Sequence, residues 1–182
     1  METLEQQLIF TGGALLCAGI GSVEDVRHRR IPNMVTGPAI AAGLLLHAVA
    51  GGWRGLEDSA LAGLIAGAVF LVFFLVGGMG AGDVKLMTAV GCLAGLSPLP
   101  VVVLATVIAG AVFALAVGVR HGRLRETLRN VGDLLQHHGR NGLRPHPDLN
   151  LANPEAHRMP FAVPIATGCL FAVCTLLWEA RS

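Results

Sequence analysis

Tyrosine is absent from the 182 residues, tryptophan occurs twice, and charged side chains make up only 14% of the chain. A water-soluble domain carries about 25% charged residues. This scarcity, beside 53% hydrophobic residues and a mean hydropathy of +0.64, excludes an ordinary soluble domain and predicts a membrane protein. Both tryptophans, Trp53 and Trp178, stand at the ends of apolar runs, where amphipathic rings favour the bilayer interface. A C-x-x-C pair is also missing. Cys17, Cys92, Cys169 and Cys174 all fall inside apolar runs, which excludes the common zinc and dithiol patterns and leaves buried free thiols. No Lys or Arg precedes Arg27. A cleavable signal peptide needs a positive segment before its apolar core, so the first apolar run is expected to be retained. The formal net charge is +1, and no nucleic-acid partner, metal or cofactor is expected.

What is present is a succession of apolar runs. Crossing the hydrocarbon core takes about 20 apolar residues in a helix, and six runs approach that length: 8–23, 34–50, 59–76, 83–96, 99–119 and 160–178. The expected fold is therefore all-α, a polytopic bundle of about six transmembrane helices forming one integral-membrane domain over residues 1–182. Small residues such as Ala39, Ala41, Ala42, Gly43, Gly63 and Gly67 crowd these runs and let helix backbones approach closely in lipid. With six spans, the cationic residues divide sharply. Arg27, Arg29, Arg30, Lys85 and the seven arginines between 120 and 158 lie on one side, and only Arg54 and Arg181 on the other. The positive-inside rule puts the rich side in the cytoplasm and both termini outside.

Residues 120–158 form the one long polar stretch, expected to be a cytoplasmic loop. Leu124, Leu128, Val131 and Leu135 recur there at helical spacing, which suits an amphipathic helix over 123–136 lying on the membrane surface. His121, His137, His138, His146 and His157 also fall in this stretch, without a metal-ligand spacing.

With that topology only three acidic residues, Glu24, Asp25 and Asp83, sit at the inner edge of a span. Asp83 ends the turn Gly77-Gly78-Met79-Gly80-Ala81-Gly82 between two apolar runs. A carboxylate there is costly and marks a functional site, although Asp also serves as a helix cap. The other carboxylate, Glu24 or Asp25, lies on the same membrane face, and spacing does not choose between the two. Two converging carboxylates share a proton, so that one activates a water while the other polarises a carbonyl. Gly78, Gly80 and Gly82 give the turn conformational freedom and let a substrate backbone come close.

Two blocks of residues resemble the type IV prepilin peptidase family. Asp25-Val26-Arg27-His28-Arg29-Arg30-Ile31-Pro32-Asn33 is similar to the family's first aspartate, basic stretch and Ile-Pro-Asn. Gly78-Met79-Gly80-Ala81-Gly82-Asp83-Val84-Lys85 matches its G-x-G-x-G-D-x-K motif. Met159-Pro160-Phe161-Ala162 looks like the family's entry into the last span. The resemblance implies a GxGD aspartic endopeptidase of the bacterial inner membrane, with Asp25 and Asp83 as the catalytic pair and Gly78, Gly80, Gly82, Lys85, Pro32 and Asn33 as motif support. It implies prepilins or pseudopilins as substrates, cut after a glycine that ends a short basic leader, and pilus assembly machinery as a further partner.

Long members of that family carry an extra domain with paired C-x-x-C motifs between their first two spans, and they also methylate the new N-terminus. Only about ten residues separate the first two runs here. The chain therefore resembles the short form associated with Flp or tight-adherence pili, for which methylation is not expected. A proton-coupled transporter using the same carboxylates and a non-catalytic assembly subunit are the alternative functions.

Overall fold

The computed structural model describes residues 3–120 and 160–181, together with isolated positions between them. The amphipathic helix expected over 123–136 and the 120–158 loop lie, apart from those isolated positions, outside the described residues. Among the described residues five α-helices have defined bounds: α1 Leu4–His28, α2 Asn33–Leu75, α3 Ala81–Ala94, α4 Leu99–Arg120 and α5 Ala162–Glu179. No strand occurs among the described residues.

α1 begins at a capping box. Thr3 accepts a hydrogen bond from the Gln6 backbone, and the Gln6 side chain accepts one from the Thr3 N–H, so two N–H groups at the helix start are satisfied. It ends at Arg29, whose left-handed backbone (φ 53°) turns its N–H onto the Asp25 carbonyl. Phe10, Ala14, Cys17, Ala18 and Gly21 form its buried stripe, at the spacing of one helical face.

Straight, the 43 residues of α2 would reach about 65 Å, twice the hydrocarbon thickness of about 30 Å. The helix is broken instead at Gly52 (φ 62°, ψ −142°), a conformation that L side chains resist. Residues before and after the break reach the same point on α3. A Cβ at Gly43 would lie 2.5 Å from the Cys92 carbonyl oxygen, and Gly63 abuts the Cys92 thiol. The Ser59 hydroxyl donates to that same Cys92 carbonyl over 2.7 Å. The two halves of α2 therefore fold back as a hairpin with α3 held between them.

α3 is nearly all core: Asp83, Leu86, Met87 and every residue from Ala89 to Ala94 are buried. α1 packs on α3 and α5, and α4 packs chiefly on α5. Outward-facing Ile9, Leu16, Leu45, Val49, Leu64, Leu104 and Trp178 are exposed, which lipid tolerates and water would not.

Four of the five helices, α1, α2, α4 and α5, are long and apolar enough to cross a membrane. The expectation of six spans differs from this count for two physical reasons. The runs 34–50 and 59–76 are joined through Gly52 into one helix, and the run 83–96 yields a helix of only 14 residues. The cysteines also need one correction. All four are free, and Cys17, Cys92 and Cys169 are buried, but Cys174 is exposed on α5, an apolar helix whose outward face needs no polar cover.

Candidate active site

Asp83 lies in the first turn of α3, where Gly80 is the N-cap residue in extended conformation (φ −84°, ψ 153°). Its Oδ2 accepts the Gly80 N–H over 3.1 Å. The capping reading is thus part of the truth, and a helix N-terminus is a favourable place for a carboxylate. Capping uses only one oxygen. The residue is only 8% exposed, and its Oδ1 is buried with no hydrogen-bond partner among the described residues. An unpartnered buried carboxylate oxygen is costly, which makes Asp83 a candidate functional group.

Asp25 approaches from α1. It occupies the last turn of that helix, the negative end, where a carboxylate is disfavoured by the helix's own carbonyls. Compensation comes from elsewhere in the fold. The backbone N–H of Ala162, at the start of α5, donates to Asp25 Oδ2 over 3.4 Å, and the Arg29 guanidinium acts on the carboxylate through space. Asp25 and Asp83 lie within electrostatic reach of one another. Each takes one backbone N–H from the N-terminus of a helix on its Oδ2. Glu24, the neighbour that spacing alone could not dismiss, pairs instead with His28 at 3.0 Å on an exposed face.

The two sequence blocks meet directly. Pro32 sets the start of α2 with φ −71° and ψ 144°, suited to a residue whose ring fixes φ. Just before it, Ile31 lies over Gly82: a Cβ at Gly82 would come within 3.3 Å of the Ile31 Cβ. Just after it, Asn33 Oδ1 accepts a hydrogen bond from Lys85 Nζ over 3.0 Å. Gly77 supplies the positive φ (82°) that the turn requires, and the Gly78 N–H closes the end of α2 on the Phe73 carbonyl at 2.9 Å.

Sequence reasoning missed Ser22. Its hydroxyl lies 2.7 Å from the Ala18 carbonyl and 2.7 Å from the Ala162 carbonyl, tying α1 to the start of α5. The available signal was a hydroxyl in an apolar run, one helical turn before Asp25. Phe161 was legible only as part of a motif; its ring packs edge-on against Phe70 with centroids 6.4 Å apart and fills the space beside Gly110.

A multi-pass helical membrane protein with two aspartates at helix ends, the charge of Asp25 reaching Asp83, is the class that this arrangement defines. Residues 12–115 match the type IV leader peptidase family, and the chain belongs to it. It is 34% identical over 125 residues to the "Prepilin leader peptidase/N-methyltransferase" of Neisseria gonorrhoeae, covering 63% of this chain and 43% of that protein. It is 35% identical over 120 residues to the protein of the same name from Burkholderia pseudomallei strain 1026b, covering 60% and 38%. The corresponding figures for Dichelobacter nodosus are 30% over 106 residues, 54% and 37%. The chain thus spans less than half the length of these relatives. No solved structure matches it.

Proposed function

We propose that this protein is a membrane aspartic endopeptidase that removes the short basic leader of type IV prepilins or pseudopilins, cutting after a glycine at the cytoplasmic face of the inner membrane. The observation that carries the reading is Asp83, a carboxylate with a buried oxygen that no described residue satisfies, within reach of the charge of Asp25 on a separate helix.

The chemistry follows from what two such groups do together. Like charges held close share one proton. The ionised member takes a proton from water, the hydroxide attacks the peptide carbonyl, and the protonated member donates to the carbonyl oxygen. Collapse of the tetrahedral intermediate passes a proton to the leaving amine and restores the pair. Gly82 lets Ile31 pack closely on the turn that carries Asp83, while Lys85, Pro32 and Asn33 hold the two aspartate-bearing segments in register.

In this reading α2 crosses the bilayer twice about Gly52 and α3 is a short crossing sheathed by it. Six crossings result, with both termini outside and the 120–158 loop in the cytoplasm, one integral-membrane domain with pilus assembly machinery as a further partner. Only residues 29–32 join α1 to α2, which leaves no room for an inserted domain there and supports a short, Flp-type peptidase without N-methylation.

The test is leader removal in cells that co-express the protein with a prepilin, for wild type, Asp25→Asn and Asp83→Asn. Wild type is expected to shorten the prepilin and both variants to leave it intact. Processing by either variant at the wild-type rate sinks the two-aspartate mechanism, and no processing by wild type returns the transporter and assembly readings to the field.

A further inference from the structure

The cradle that holds Asp25 contains a residue that no motif marks. Ser22 and Asp25 are three positions apart on α1 and so share one face of the helix. Both contact the same residue of another helix, and they take hold of its two ends. Asp25 Oδ2 accepts the Ala162 N–H, and the Ser22 hydroxyl reaches the Ala162 carbonyl. Ala162 is fully buried and lies at the first position of α5.

The two grips differ in strength. An N–H···O bond of 3.4 Å is long, beyond the usual range of about 2.7–3.2 Å, and cannot by itself fix where the carboxylate sits. The Ser22 contact at 2.7 Å lies at the usual distance for a hydroxyl donor. The hydroxyl has one proton, which it divides between the Ala162 carbonyl and the Ala18 carbonyl of its own helix, also 2.7 Å away. Only the bond to Ala162 joins helices. Sliding of α5 along α1 would carry the Ala162 N–H away from Asp25, and Ser22 is the polar contact that opposes this.

We infer that Ser22 is a positioning residue for Asp25, acting through the backbone of Ala162 to hold the N-terminus of α5 against the carboxylate. The inference rests on the proposed two-aspartate peptidase, since it assigns Ser22 a part in orienting one of that pair. A hydroxyl placed only for packing would affect how much protein folds; a hydroxyl that aims Asp25 affects the chemical step.

The experiment uses purified full-length protein in detergent with a prepilin carrying a basic leader that ends in glycine. It compares Ser22→Ala and Ser22→Thr with wild type, and Asp25→Asn as a control on the reading beneath. Ser22→Ala is expected to lower kcat by about tenfold to a hundredfold, the scale of a misplaced catalytic group, with KM within about twofold. Ser22→Thr keeps the hydroxyl and is expected to recover most of kcat. Wild-type kcat in Ser22→Ala, or a loss that Ser22→Thr does not recover, overturns the inference while an inactive Asp25→Asn leaves the dyad standing. Wild-type cleavage by Asp25→Asn removes the dyad and the inference with it. Should Ser22→Ala not accumulate as folded protein, Ser22→Cys replaces it, with similar size, a far weaker donor and the same expected fall in kcat.

Discussion

Lys85 Nζ donates to Asn33 Oδ1 across 3.0 Å, a bond between residues 52 positions apart that joins the start of α2 to the first turn of α3. One partner belongs to the Ile-Pro-Asn block and the other to the glycine-aspartate block, so the two segments that the sequence marks are tied by a direct contact. The bond is exposed, which limits its worth to at most about 1 kcal/mol. Lys85→Met and Asn33→Ala are each expected to lower leader cleavage several-fold while the melting temperature in detergent hardly moves. The double variant should be no worse than either single one, because both remove the same bond. Additive losses in the double variant would show that the two residues act separately.

Asp83 has two roles that substitution can separate. Asn retains a side-chain oxygen able to accept the Gly80 N–H, whereas Ala does not. Asp83→Asn should therefore lose about 10²-fold or more of its activity with stability close to wild type. Asp83→Ala should lose the same activity and about 1 kcal/mol of stability besides. Thermal melts of the two variants, read beside leader cleavage, distinguish cap from chemistry.

The hairpin within α2 depends on particular glycines. A Cβ at Gly43 would meet the Cys92 backbone at 2.5 Å, and backbone on both sides cannot yield cheaply. Gly43→Ala is expected to destabilise by about 1–3 kcal/mol, and Gly52→Ala by a similar amount because of its positive φ. Gly12 on α1 has open space where its Cβ would be, so Gly12→Ala should be neutral or stabilise by at most about 1 kcal/mol. Melting temperatures of the three variants measure the contrast.

Far from the aspartates, His47 closes the other end of the bundle. It is fully buried, its Nε2 lies 3.1 Å from the Leu93 carbonyl, and its ring stacks on Phe10 with centroids 4.2 Å apart. Nearby, Asp58 Oδ2 accepts the Leu96 N–H at 2.9 Å. Removing the ring leaves a cavity and an unsatisfied carbonyl, so His47→Ala should cost about 2–4 kcal/mol. Cleavage per folded molecule should be unchanged. A selective loss of kcat would contradict a purely structural place for this residue.

The helical class and the bundle's apolar runs were legible because hydrocarbon length and residue composition leave few alternatives. Asp83 stood out for the same reason, as a charge where charge is costly. The runs 34–50 and 59–76 read as two separate spans, and their union into one helix broken at Gly52 was not legible, because Gly51-Gly52 reads equally as a loop. Spacing alone did not separate Asp25 from Glu24, a choice that rested on the motif resemblance, since adjacent helical positions differ by about 100°. Spacing fixes that difference but not which direction faces the partner. Ser22 carried only a faint signal, because its partner is a carbonyl 140 positions away.

α3 carries Asp83 and Lys85, spans 14 residues, and is clasped by both halves of α2. Such a segment has little affinity of its own for hydrocarbon. Its place in the bundle is therefore set by its neighbours and not by its own composition: both halves of α2 and one face of α1 cover it, so whatever loosens the fold-back at Gly52 also uncovers Asp83.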